Sequence, residues 1–231
     1  MTFSFELREF SEAELPNSTV AVQTALNFMS QVKSAWTKGK FYSDGQVQTY
    51  HHTASNGDFW MARESNHKDV SFEEFRSAIL LNHTENEVKY IPLLDSFKRL
   101  EPVTSPETPD AHDWESLLVH YKFPKFFSDR EMTVWLLAIQ PNEDVKEFLV
   151  ISLPSNRPVT DSEHVTQAYY CSIEHVKYNE QEQQVEWLMA QTSDAKGNIP
   201  RWIQNKSVTS SVVEDVPHFI SWAKKQREVS K

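Results

Sequence analysis

The side chains able to do chemistry are scattered along this 231-residue chain rather than gathered in one recognisable motif. Cys171 is the single thiol. It sits in "AYYCSIEH", on the apolar side of a strand-like run with no helix N-terminus or adjacent base to favour the thiolate, so it reads as a small core hydrophobe. His51 and His52 are neighbours on a strand, so their rings point to opposite faces and cannot chelate one ion from a single surface. Neither Cys171 nor the nearby carboxylates add a familiar ligand spacing, and the expectation is no metal and no cofactor. Nucleophile-elbow, Walker and dinucleotide patterns are missing, and four glycines leave no phosphate-cradling loop. No catalytic residue is assigned. If a cavity enzyme were built here, Glu64, His120 and His175 would be the first suspects.

Two adjacent charge pairs carry more information. In Arg130-Glu131 the side chains point to opposite faces of a strand, so at most one enters an interior, where it needs a partner or a polar ligand group. Arg63-Glu64 on an earlier strand poses the same choice, with a solvated edge favoured and a buried Arg63 as a headgroup receiver the alternative. Phe126 and Phe127 follow Pro124 in a loop, where consecutive aromatics either pack inward or touch a membrane.

The elements that must hold these groups are legible from periodicity. Ser11 and Glu14 have capping-box spacing, and after Pro16 a helix places Val22, Ala25, Leu26, Met29, Val32 and Trp36 on one face. "GQVQTYHHT" and "DFWMARES" read as a hairpin across "ASNG", and Ser71 with Glu74 caps a second helix. Six strand-like runs follow: "SFKRLE", "ESLLVHYKF", "EMTVWLLAIQ", "EFLVISLP", "VTQAYYCSIEHVKY" and "QVEWLMAQT". Leu117, Val119, Tyr121 and Phe123 share one face, as do Val165, Tyr169, Cys171 and Ile173, and Val185, Trp187 and Met189. The end of the chain turns at Gly197, offers Pro200 as a first helical residue, and runs an apolar stripe through Val212, Val213, Val216, Phe219, Ile220 and Ala223, with Pro217 as a helix start or kink. This order predicts an α+β fold, a curved antiparallel sheet gripping its C-terminal helix. The acidic, Pro-rich residues 101–113 read as a loop within one domain, 1–231.

Composition narrows the partners. With 39% hydrophobic and 24% charged residues the chain is ordinary globular material, and a formal net charge of -10 disfavours nucleic acid and tight docking on anionic lipid. The basic tail "AKKQREVSK" complements the negative end of a terminal helix. A lone cysteine and an N-terminus without a basic-then-apolar address point to the cytoplasm, and no apolar run is long enough to span a bilayer.

Two segments resemble the START lipid-binding domains. "YKFPKFFSDRE" resembles the strand, loop and Ser-Asp-Arg-Asp-type turn of phosphatidylcholine-transfer-like members, with Glu131 in place of the commoner Asp. "GNIPRWIQN" is similar to the family's entry to its C-terminal helix, and "WMARESNHKDVSFEEFRSAILLNHTENEVKYI" resembles a fungal branch of largely unassigned function. The resemblance covers about residues 20–226 and implies a START/Bet v 1-like helix-grip fold with an internal hydrophobic cavity. It implies an apolar ligand, a lipid first of all, gated by the C-terminal helix and the 124–128 loop, with transient membrane contact. The residues expected to line or gate that cavity are Tyr121, Phe123, Phe127, Arg130, Met132, Val134, Tyr169, Trp187, Met189, Trp202, Phe219 and Ile220. Trp202 would pin the fixed end of the lid. A small-molecule enzyme in the same cavity, or a scaffold with a plugged cavity acting through protein contacts, are the alternatives.

Overall fold

Asn17 opens the first long helix by accepting a hydrogen bond from the Val20 amide at 2.9 Å, and α1 (Ser18–Ala35) then buries Ala21, Ala25, Met29 and Val32. The computed structural model describes residues 3–42, 44–101, 113–123, 127–199 and 201–229, with the side chains of 45, 201–207 and 229 left aside.

After α1 the chain forms β1 (Thr37–Tyr42), β2 (Val47–Thr53) and β3 (Phe59–His67). β1 is an edge strand absent from the sequence reading, because "TKGKFY" carries no clean alternation and is exposed along most of its length. The Ser71–Glu74 capping box opens α2 (Phe72–Phe75), which continues as a five-residue π-helical turn, Arg76–Leu80. α3 (His83–Tyr90) follows, then β4 (Leu94–Arg99), β5 (Glu115–Tyr121), β6 (Asp129–Ile139) and β7 (Glu147–Pro154). The run "VTQAYYCSIEHVKY" is not one strand. It breaks at Ala168 into β8 (Val165–Gln167), parallel to β6, and β9 (Tyr169–Asn179), antiparallel to β7 and to β10 (Gln184–Asp194). The Ala168 amide donates to the Glu131 carbonyl at 2.8 Å, which ties the break to β6. α4 (Arg201–Val229) closes the chain with Pro217 inside it, so the proline neither starts nor ends the helix.

The sheet has ten strands in the order β1-β2-β3-β10-β9-β7-β6-β5-β4, with β8 on β6. Its two faces bury two separate apolar clusters. The outer cluster lies under α1 and the N-terminal segment and includes Phe10, Trp60, Trp135, Leu149, Ile151, Cys171 and Ile173. The inner cluster lies under α2, α3 and α4 and includes Phe75, Leu117, Val134, Phe148, Val176, Trp187, Val216 and Phe219. Since the side-chain period of a strand is two, successive residues of the central strands belong to different clusters, which explains why β7 reads as an unbroken apolar run.

Candidate functional site

Register places a polar row on the inner face. Thr49, Arg63, Met189, Glu174 and Val150 lie side by side across β2, β3, β10, β9 and β7. Arg63 is therefore not at a solvated edge: it is 1% exposed, and its Nε and Nη1 have no hydrogen-bond partner among the described residues. Its guanidinium lies 3.7 Å from the centroid of the Trp187 ring, and the Trp187 indole N–H donates to Glu174 Oε2 at 2.8 Å. Burial pulls the Arg63 pKa down, while the nearby carboxylates of Glu174 and Asp215 act against that shift.

Helices supply the facing groups. From α4, Asp215 is pushed up to about 7 by burial, with Arg63 opposing and Glu174 adding to the rise. From α3, Glu87 is likewise raised to about 7 by burial. Yet Glu87 keeps 19% side-chain exposure. That surface opens onto an interior void of about 30 Å³, walled by His83, Glu87, Tyr121, Met132, Val134, Ser152 and Tyr170 among others. Burial also raises the phenol pKa of Tyr90, Tyr121 and Tyr170, so all three stay neutral donors. The void has room for about two waters. Its wall is mostly apolar from the sheet, apart from Tyr121, Ser152 and Tyr170, and α3 adds His83 and Glu87.

The approach to α4 and its far end are both tied down. At its base, Arg130 is 2% exposed and donates from Nε to the Ala195 carbonyl at 2.6 Å and from Nη1 to the Ser128 carbonyl, with its guanidinium 4.9 Å from the Phe123 ring centroid. Gly197 adopts φ +66, and a Cβ there would stand 3.3 Å from Arg130 Nη2, so the glycine serves both the left-handed turn and the close approach. In the middle, Phe219 is fully buried against Phe75, Trp187 and Tyr90, with ring centroids 4.8, 5.1 and 5.5 Å away. At the far end Arg227 pairs with Glu74 and donates to the Asp69 carbonyl at 2.6 Å, and Lys224 pairs with Asp69. These tail cations thus meet carboxylates rather than only the helix dipole.

Of the cavity residues expected from sequence, Tyr121, Met132 and Val134 wall the void, and Trp187, Met189, Phe219 and Ile220 lie on the same inner side. Phe123 and Arg130 are not among the residues that wall it: they pack on each other, and Arg130, opposite Tyr121 in register, is engaged by backbone carbonyls. Phe127 is 53% exposed, and Phe126 and the Trp202 side chain lie outside the described residues, as does most of the 124–128 loop and of the 101–113 loop. Tyr169 is a correction. It shares the outer face with Cys171 and Ile173, donates to Glu9 at 2.9 Å and borders an open polar groove of about 340 Å³ with Arg8, Asp58 and Lys196. Although that groove is the larger hollow, it is a solvated rim with charges of both signs; the void under α3 is walled by apolar side chains together with His83, Glu87, Tyr121 and Tyr170.

The three suspects for catalysis also face away from the void. Glu64 pairs with Lys33 of α1, His120 stands 3.1 Å from Glu131 and 3.3 Å from Asp129, and His175 stands 2.6 Å from Glu147. Cys171 is fully buried, which pushes its thiol pKa up. His51 and His52 do point apart, toward Phe59 and Trp36. The structure takes the buried alternative for Arg63, and the residues missed from sequence are Glu174, Asp215, and the pair His83 and Glu87, whose i,i+4 spacing on a helix puts both on one face.

Comparison with other proteins agrees with this architecture. A family described as "Protein of unknown function (DUF3074)" matches residues 60–223, and no curated protein sequence matches the chain. Among solved structures, human STARD10 superposes with a TM-score of 0.73 at 13% identity over 93% of this chain and 82% of its own. Human StAR-related lipid transfer protein 5 gives 0.72 at 10% identity, over 90% of this chain and 97% of its own. A STAR-related lipid transfer protein fragment from Xanthomonas axonopodis gives 0.64 at 11% identity, over 83% and 99%. The START-like helix-grip fold is thereby shared.

Proposed function

Because the chain belongs to the DUF3074 family, whose description assigns no activity, we propose from its own inner face that it binds one hydrophobic small molecule, a lipid first of all, between the sheet and α4. The observation that carries this reading is Arg63: a guanidinium buried to 1% whose Nε and Nη1 have no partner among the described residues, on the face that also carries the inner apolar cluster. An orphaned buried donor costs about 1–3 kcal/mol, more when charged, and a ligand headgroup accepting from it would recover that cost. Two of the similar structures are named as lipid transfer proteins, which supports the same class of ligand.

In this mechanism the protein replaces water around the apolar body of the ligand. Val134, Met132, Trp187, Met189 and Phe219 supply that surface, and Arg63 orients the polar end. An interior with room for about two waters cannot hold an acyl chain, so entry requires α4 to swing out and the Phe219 cluster to part. The rim at Phe127, which exposes an aromatic ring, would meet the membrane briefly during loading, and cytoplasmic carriage follows from the same reading. The small interior favours a second reading, a scaffold that acts through protein contacts, with its chamber permanently filled.

A vesicle assay separates them. Donor vesicles carrying a fluorescent fatty acid or phospholipid are mixed with acceptor vesicles and increasing protein. Carriage predicts a transfer rate that rises with protein concentration and drops several-fold in Phe219→Ala if the cluster gates the chamber. A rate unchanged by wild-type protein for every lipid tried would leave the scaffold. Enzymatic chemistry in the chamber would instead appear as a changed mass of the recovered lipid.

A further inference from the structure

We propose that His83, Glu87 and Glu174 form a binding site for one divalent transition-metal ion on the inner face. One ligand atom from each lies within 4.8 Å of the others. His83 Nε2 stands 3.4 Å from Glu87 Oε2 and 3.9 Å from Glu174 Oε1. The second of these is too long for a hydrogen bond and the first is marginal. Two ligands held about 2.1 Å from a tetrahedral ion are separated by about 3.4 Å, so small shifts would bring all three onto one centre.

Three further features point to a ligand here rather than to a bare acidic cluster. The imidazole is 8% exposed, and its Nε2 meets the two carboxylates only at 3.4 and 3.9 Å, so direct hydrogen bonds hold the three groups weakly. Glu174 is already oriented, because its other oxygen accepts from the Trp187 indole at 2.8 Å, as a carboxylate ligand requires. Glu87, Glu174 and Asp215 also bring three carboxyl groups close enough to repel one another, and a divalent cation held by Glu87 and Glu174 would relieve that repulsion.

The fold builds the site from fixed parts. α3 presents His83 and Glu87 one turn apart on one face, and its start is braced by Asn86, whose side-chain amide donates to the Ala78 carbonyl at 2.9 Å. The preceding π-helical turn, Arg76–Leu80, sets the angle at which α3 meets the sheet. One imidazole and two carboxylates suit Zn²⁺, Mn²⁺, Fe²⁺ or Co²⁺ over softer ions. Three protein ligands leave open positions toward the void bordered by Tyr121 and Tyr170, where water or an oxygen donor of a bound molecule would complete the shell. The inference does not depend on lipid carriage, since the ion would sit between the three ligand side chains and only its remaining ligand positions would draw on the small void beside them.

The test uses the full chain, freed of metal with a chelator that is then removed, and titrated with Zn²⁺ by calorimetry and with Co²⁺ by visible absorption. The expected result is one ion per chain and a Co²⁺ spectrum with the strong ligand-field bands of a low-coordinate protein site. His83→Asn and Glu87→Gln should each weaken binding by about tenfold or more, while His175→Gln, on the outer face, leaves it unchanged. Far-UV circular dichroism checks that the variants fold. If they do not, the wild-type Co²⁺ spectrum still decides, because a weak spectrum like that of the hydrated ion means no such site. Equal affinity in folded wild type and both variants would also overturn the proposal.

Discussion

The two faces of one sheet are built by opposite rules. Toward α1, side chains of the outer cluster fill the layer with hydrocarbon, and its buried indole donors are paired: Trp135 to the Phe10 carbonyl at 2.8 Å and Trp114 to the Pro16 carbonyl at 2.9 Å. Toward α4, the same strands turn Arg63, His67, Glu174 and Gln191 inward and leave the Arg63 guanidinium partly unpartnered. The outer face comes close to a structural core, in which buried polar groups are satisfied, with Ser116 Oγ as its unpartnered buried atom among the described residues, against Arg63 and His83 on the inner face. The inner face carries polar strain of the kind stored where a molecule is to be received.

That contrast predicts opposite signs for mutations in the two layers. The largest effect falls on the outer face: Leu149→Ala, fully buried under α1, should cost about 2–5 kcal/mol in denaturant unfolding and leave lipid uptake by the folded fraction unchanged. On the inner face, replacing the charges by neutral side chains of similar size, Arg63→Met with Glu174→Gln, should leave stability within error or raise it by up to about 4 kcal/mol, while ligand retention is lost. A double variant as unstable as Leu149→Ala would erase the distinction between the faces.

A smaller effect concerns pH. Asp215 has a folded pKa raised to about 7 by burial, so its contribution to stability is fully present below the unfolded carboxylate value and is lost as pH rises through 7. His67, pulled down to about 4 by burial, acts in the other direction, but only below its unfolded value near 6.5. Glu87, also raised to about 7, acts in the same direction, so between about pH 6.5 and 8 the melting temperature of chelator-treated protein should fall, and Asp215→Asn should make the slope shallower without abolishing it. An unaltered slope in that variant would remove Asp215 from the account. The smallest change is at the tail: Arg227→Gln breaks the clasp on Glu74 and should cost at most about 1 kcal/mol, since the arginine is largely exposed. It should nonetheless raise amide exchange in the last turns of α4 and speed lipid uptake. Because Arg227 and Ser71 hold the Glu74 pKa down to about 2, the clasp's contribution is present above the usual carboxylate range and is lost as pH falls toward that value.

The architecture was legible because its signals are local. Capping boxes at Ser11 and Ser71, the stripe of α1 and the alternation of β5 and β10 each predict an element that the structure contains. The working face was harder to read. Alternation identifies the more apolar side of a strand, and in β9 that side, Cys171 and Ile173, belongs to the outer core, so Tyr169 was placed in the cavity one residue away from Tyr170, which does line it. A one-residue difference in phase moves a side chain through the sheet. Arg63 was undervalued for the same reason: beside Glu64 it looked like half of a surface pair, whereas only pairing with β10 and β9 turns it inward. The spacing of His83 and Glu87 was present in the sequence, but Glu174 lies far along the chain and only the fold completes the set.

The central claim is that the inner face is a chamber for a hydrophobic molecule. Its most direct test is native mass spectrometry of the protein after incubation with vesicles of mixed phospholipid, sterol and fatty acid, followed by denaturation and identification of whatever is released. The account predicts one lipid per chain, lost in the Arg63→Met, Glu174→Gln double variant although that variant remains folded. A wild-type mass that stays at the bare polypeptide after every lipid mixture would contradict it.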